Sequence, residues 1–241
     1  MNTRHIKTFI GAIMLTGLGT ATYAGFKSHT PHAYFALGVL ALAAATSRMK
    51  VKLPGINGNM SVNLPFLLTA VANLSAVEAV AITCISTMVQ CWARKGAKFN
   101  PQQMAFNLSM MVFATSSASL IFHAVTKSPT LWHSSTLALV LGTVSLFLGQ
   151  TAPVASIVAI SESRSARQVW LNLAQLSFPY YVVSVGVTSI VQAMKSQLGW
   201  GLALAVFPVM YIIHRSYRMY FKAMAEAEHP SLQVRAAGAG T

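Results

Sequence analysis

The chain has almost no acidic residues. Only four of its 241 residues are Asp or Glu, and all four are glutamates. General acid/base pairs and Mg²⁺ sites need several carboxylates placed together, which this composition hardly permits. We therefore predict that the chain is not an enzyme and that it has no cofactor.

Cysteines and metal-binding motifs are equally scarce. Cys84 and Cys91 are the only cysteines, and they lie in one apolar run, so the chain has no disulfide framework. The histidines form neither an HxxxH nor an HExxH motif, and CxxC is also absent. His29, His32 and His133 fall on predicted outer loops, where solvated histidines are the ordinary case. No metal site is predicted.

Charged residues make up 9% of the chain and hydrophobic residues 54%, whereas soluble domains have about 25% charged residues. The net charge is +13, and the Lys and Arg residues occur in short clusters between apolar runs. Such clusters are typical of cytoplasmic loops in membrane proteins rather than of nucleic-acid-binding faces. We therefore predict a multi-pass membrane protein whose surroundings are the lipid bilayer, and no nucleic-acid partner.

The apolar runs predict an all-α fold, a polytopic transmembrane bundle of about eight segments. Residues 1–221 would form the bundle and residues 222–241 a disordered cytoplasmic tail. Two segments, 32–47 and 60–74, are short for a bilayer span, so the count falls to seven or six if they do not cross. Between them, residues 48–63 contain Pro54-Gly55 and are the best candidate for non-helical structure. The segments are 6–26, 32–47, 60–74, 76–92, 104–125, 131–160, 168–194 and 198–214.

The distribution of Lys and Arg predicts the orientation. With eight spans and a cytoplasmic N-terminus, fourteen cations lie inside and three outside, namely Lys27, Lys127 and Lys195. If residues 64–92 formed one span, the distribution would fall to ten inside and seven outside, so the positive-inside rule favours eight. This predicts a bacterial inner-membrane protein with both termini in the cytoplasm. The first segment also fits a secretory signal, whose cleavage would leave seven spans in the same orientation.

Polar residues inside apolar segments are candidate ligand contacts, because lipid offers them no hydrogen bonds. Asn107 and Gln150 lie nearest the middle of their segments, and Asn73 lies near a predicted break. The alternative for these amides is an ordinary hydrogen bond between helices. Glu78 is either a contact at a cavity mouth or a solvated acid at a helix start, where Ser75 would cap the helix.

Five motifs resemble a known family. They recur in order and cover residues 48–220, most of the chain: VKLPGINGNMSVN at 51–63, VQCW at 89–92, FNLSM at 106–110, SFPYY at 177–181 and PVMYIIHRSYRMY at 208–220. The pattern resembles the membrane-embedded sensory (MASE-like) domains that precede GGDEF diguanylate cyclase or HD-type phosphohydrolase domains in environmental bacteria.

The resemblance implies a sensory module whose last helix carries a signal to a protein partner or within a homodimer. Tyr180 and Tyr181 then join the candidate ligand contacts, for a small apolar or amphipathic ligand. The signal-transmitting residues would be Arg215, Tyr217, Arg218 and Tyr220. The 241 residues contain neither output domain, so cyclase or phosphodiesterase activity is not expected of them.

Two other functions stay open at this stage. The central segments are also similar, in architecture only, to the substrate-binding subunits of energy-coupling-factor vitamin transporters, which recruit ATPase partners. A purely structural subunit of a larger membrane complex fits the same composition.

A reporter fused after Ser75 tests the predicted orientation. We expect a periplasmic signal, because the eight-span topology places this break at the outer face of the membrane. The measurement is the activity ratio of a periplasm-specific and a cytoplasm-specific reporter. A cytoplasmic signal would overturn the eight-span count.

Overall fold

The computed structural model describes residues 3–26, 33–52, 59–92, 100–128, 135–198 and 206–223. These ranges contain eight helices and one two-stranded hairpin, so the predicted helical fold is confirmed, and the count of about eight membrane spans stays a prediction. The predicted tail lies almost entirely outside the described residues. The elements are α1 (Thr3–Phe26), α2 (Ala33–Ser47), β1 (Lys50–Lys52), β2 (Asn59–Ser61), α3 (Leu64–Asn73), α4 (Ala76–Cys91), α5 (Pro101–Lys127), α6 (Ser135–Glu162), α7 (Ala166–Leu198) and α8 (206–223).

Three of the described helices are long and apolar enough to cross a membrane. They are Pro101–Lys127, Ser135–Glu162 and the Ala166–Met194 part of α7. At about 1.5 Å per residue, each exceeds the roughly 30 Å hydrocarbon core of a bilayer. The protein is thus a helical membrane protein by length and composition.

Helix α5 lies at the centre of the bundle and packs against α1, α3, α4 and α6. Its closest approaches are made by glycines of neighbouring helices. A methyl group at Gly149 would lie 2.9 Å from Ala114 Cβ, and one at Gly17 would lie 2.8 Å from the Ser109 carbonyl oxygen. Only a residue without a side chain fits at such positions, as is usual where membrane helices touch.

Helix α3 is short and wholly internal. It has ten residues, about half the thickness of the hydrocarbon core, and every residue from Leu64 to Val71 is buried. The chain turns at Leu74 and enters α4 through the predicted cap. The Ser75 hydroxyl accepts a hydrogen bond from the Glu78 amide, and the Glu78 carboxylate accepts one from the Ser75 amide. This capping box ends one helix and begins the next within two residues.

The non-helical structure predicted between α2 and α3 is a small antiparallel hairpin. Strands β1 and β2 pair with Val51 opposite Met60. Val51 is buried in the main core, which anchors the hairpin to the end of the bundle. The turn predicted at Pro54-Gly55 falls outside the described residues.

Replacing Gly149 by Ala is expected to lower the thermal midpoint of the detergent-solubilised protein. The added methyl group forces α5 and α6 apart, and overpacking of this kind costs about 1–3 kcal/mol. Gly186→Ala is the matched control, because no atom lies within 4 Å of that position. Ala instead of Gly in a helix favours the helix by about 0.5–1 kcal/mol. A midpoint for Gly149→Ala at or above that of Gly186→Ala would contradict the close contact.

Candidate functional site

A cavity of about 450 Å³ lies in one half of the bundle, among α1, α3, α4, α5, α6 and α7. This is within the size range of small-molecule sites. Its wall combines aliphatic, methionine and aromatic side chains with carboxamides and hydroxyls. The polar lining residues are Ser61, Asn63, Thr87, Gln90, Asn100, Gln102, Gln103, Asn107, Gln150, Thr151, Ser177, Tyr180 and Tyr181.

Gln150 and Tyr181 form a hydrogen-bonded pair in the buried part of the lining. The Tyr181 hydroxyl donates to Gln150 Oε1 over 2.7 Å. The Phe147 ring packs edge to face on Tyr181, with 4.9 Å between ring centroids, and fixes its orientation. Within the described part of the chain, the Gln150 amide nitrogen has no protein acceptor. It is therefore available to donate to a molecule in the cavity.

Thr87 also lines the cavity and is only 3% exposed. Its Oγ1 has no hydrogen-bond partner among the described residues. One turn away on α4, Thr83 does have a partner, because Thr115 Oγ1 lies 3.1 Å from its hydroxyl. A buried hydroxyl without a hydrogen-bond partner lowers the free energy of unfolding by about 1–3 kcal/mol. A ligand or a water molecule in the cavity would supply the partner that Thr87 lacks among the described residues.

The opening of the cavity is lined by exposed polar side chains at the start of α5. Asn100 caps this helix, since its Oδ1 accepts hydrogen bonds from the amides of Gln102 and Gln103. Further in, Asn107 Nδ2 contacts Cys91 Sγ at 3.5 Å, a weak bond that leaves Asn107 Oδ1 available. The polar lining thus runs from the opening to the interior.

Tyr180 joins the cavity to two other elements. It is 2% exposed, and its hydroxyl accepts a hydrogen bond from the Leu64 amide at the start of α3 over 3.0 Å. The N-cap residue of α3, Asn63, makes no side-chain cap bond, so Tyr180 supplies the cap from another helix. The other edge of Tyr180 meets Tyr217 of α8, with 6.2 Å between ring centroids, and Tyr217 packs on Phe221.

Four of the six predicted ligand contacts meet in this cavity: Asn107, Gln150, Tyr180 and Tyr181. Asn73 and Glu78 are not among the residues that line it. The Asn73 amide donates to the Thr69 carbonyl within α3, and Glu78 belongs to the capping box. Both serve the turn between α3 and α4.

The predicted signal-transmitting residues lie on α8. Tyr217 is half-buried against Tyr180, whereas Arg215, Arg218 and Tyr220 are exposed. Tyr217 is therefore the one of the four with a ring contact to the cavity wall, and the other three are accessible to a partner.

Sequence reasoning did not single out Thr87, Thr151 or Ser177, because hydroxyl residues are common in apolar helices and usually bond to their own backbone. Ser177 and Thr151 do so here, each donating to the carbonyl four residues before it. Thr87 differs from them because its hydroxyl has no hydrogen-bond partner among the described residues, and only the three-dimensional structure shows this. Within the described ranges no group of three or more His, Cys, Asp or Glu side chains is placed to hold a metal ion.

No family model, no curated protein and no solved structure matches this chain.

Replacing Tyr180 by Phe is expected to destabilise the protein by about 1–3 kcal/mol, because the buried Leu64 amide loses its acceptor. The measurement is the thermal midpoint in detergent. Tyr211→Phe is the control, since Tyr211 lies on α8 and is 53% exposed. Equal midpoints for the two variants would show that the tertiary cap does not stabilise α3.

Proposed function

We propose that this chain is a membrane-embedded sensory module that binds a small molecule in the cavity and signals to a protein partner through α8. The observation that carries the proposal is the position of Tyr180, which lines the cavity and also contacts Tyr217 of α8. The resemblance of the five motifs to MASE-like domains, in which the helix after the last span leads into an output domain, supports the same function.

The mechanism is a shift between two arrangements of the bundle. A molecule that contacts Tyr180 or Tyr181 changes the energy of their present positions. Because the Tyr180 hydroxyl caps α3 and its ring packs on Tyr217, a different position of this side chain changes how α8 packs against the bundle. The exposed Arg215 and Arg218 on that helix then change position relative to a protein partner.

The proposal places the bundle in a bacterial inner membrane with both termini in the cytoplasm. The excess of cations on the segments assigned to the inside supports this orientation. Helix α3 has ten residues, about half the thickness of the hydrocarbon core, so we propose that α3 and α4 form a re-entrant pair in place of two of the eight spans expected from the sequence. Such a pair is tolerated because the surrounding helices cover α3, and the Ser75 reporter distinguishes the two counts. The other helices of the bundle are proposed to cross.

Filling the cavity tests the proposal. We expect wild-type protein in lipid nanodiscs to retain a small molecule in native mass spectrometry. Ser177→Leu places a larger side chain in the lining, so we expect the retained molecule to fall by roughly tenfold, equivalent to about 1.4 kcal/mol of binding. Ser156→Leu is the control, because Ser156 lies on α6 outside the lining residues.

The proteins that co-purify provide the second measurement. A homodimer, or a complex with a cyclase, phosphodiesterase or kinase, supports a sensor, and Tyr217→Leu is expected to keep the small molecule but to recover less partner. ATPase subunits would favour a transporter component. A large stoichiometric assembly without a retained molecule would favour a structural subunit and overturn the proposal.

A further inference from the structure

The cavity lies in one half of the bundle. Its lining comes from the N-terminal halves of α1, α5 and α7, the C-terminal halves of α4 and α6, and the residues around the start of α3. Asn100, Gln102 and Gln103 are exposed there, whereas Thr87 and Tyr181 are buried. The opening therefore lies at this end and the floor lies toward the middle of the bundle.

The same end carries most of the positive charge. Among the cations whose side chains the structure describes, only Lys127 lies at the opposite end, near the end of α5. The cytoplasmic side of a membrane protein carries the excess of Lys and Arg, so the cavity opens toward the cytoplasm. The described cations at the cavity end are Lys7, Arg48, Lys50, Arg164, Arg167, Arg215, Arg218 and Lys222.

The described lining of the cavity offers no counter-ion to a charged ligand. None of the described lining residues carries a charge at neutral pH. A charge moved from water to such a site without a counter-ion is strongly disfavoured, whereas carboxamides and hydroxyls can pair with neutral donors and acceptors. Among the described residues, Thr87 Oγ1 and the Gln150 amide nitrogen have no protein partner, and the Phe106 and Met110 side chains are buried and apolar.

We propose that the cavity is loaded from the cytoplasm with an uncharged amphipathic molecule. Its hydrogen-bonding end lies against Thr87 and Gln150, and its apolar part lies against Phe106 and Met110. This inference rests on the proposed function and makes the chain a sensor of an intracellular compound. It also separates the chain from the binding subunit of an importer, whose site must open to the outside.

The side of access is tested by thiol labelling in the Cys84→Ser, Cys91→Ser background. Gln103→Cys marks the cavity opening, and Ser135→Cys marks the opposite end, where the side chain is also exposed. With a membrane-impermeant sulphonated maleimide, we expect Gln103→Cys to react in inverted vesicles and Ser135→Cys in intact spheroplasts. Labelling of Gln103→Cys from the spheroplast exterior overturns access from the cytoplasm.

The ligand class is tested with three probes that share one apolar body: biphenyl-4-carboxamide, biphenyl-4-carboxylate and biphenyl-4-methylammonium. In inverted vesicles, we expect the amide at ten times its dissociation constant to slow labelling of Gln103→Cys by about tenfold, as mass action requires for a blocked site. The two charged probes are expected to protect much less. Equal or stronger protection by a charged probe, or none by any of the three, overturns the ligand class.

Two further variants test the placement of the polar end. Thr87→Val removes only the hydroxyl, which has no described protein partner, so we expect intact folding and weaker protection by the amide probe. Thr126→Val is the control, since Thr126 lies on α5 outside the lining and bonds to its own helix backbone. Unchanged protection in Thr87→Val overturns the placement.

The outcomes for access and for function are separable. If the opening labels from the cytoplasmic side but no molecule is retained in nanodiscs, the sensory function fails and the orientation stands. If a molecule is retained and the opening labels from outside, the function stands and the present inference fails.

Discussion

The structure depends on satisfying the backbone of a ten-residue helix that is buried on all sides. In a bilayer, the first amides of such a helix have no water to bond with, so another part of the chain must accept them. Tyr180 meets this requirement for Leu64, and the Thr188 hydroxyl contacts the Pro65 carbonyl oxygen at 3.3 Å. Helix α7 therefore holds α3 in place, and the space left beside the start of α3 is the cavity.

This arrangement gives one side chain three roles. Tyr180 caps α3, lines the cavity and packs against Tyr217 of α8. A ligand that changes its position therefore acts on a buried helix end and on the C-terminal helix at once. The neighbouring Tyr181, bonded to Gln150, places a second hydrogen-bonding group next to the first. In the proposed function, Tyr180 alone would connect the cavity with α8.

Local signals in the sequence predicted the features that local interactions determine. The eight apolar runs, the break at Asn73 and the cap formed by Ser75 and Glu78 all involve residues within a few positions of each other. The cap on α3 joins residues 116 positions apart, and nothing around Leu64 or Tyr180 indicates that they are partners. The same holds for Thr87: one turn earlier, Thr83 donates to the Ala79 carbonyl and accepts from Thr115 Oγ1, whereas Thr87 Oγ1 has no partner among the described residues. Asn73 was a reasonable candidate by composition, but its amide bonds within its own helix.

The long separation between Leu64 and Tyr180 also sets an order of biosynthesis. When α3 and α4 leave the ribosome, the residue that caps α3 has not yet been made. Helices α3 and α4 therefore remain in the membrane or at the insertion machinery with the Leu64 amide uncapped until α7 has been synthesised. A chain stalled before α7 therefore lacks both the cap on α3 and the α7 part of the cavity lining.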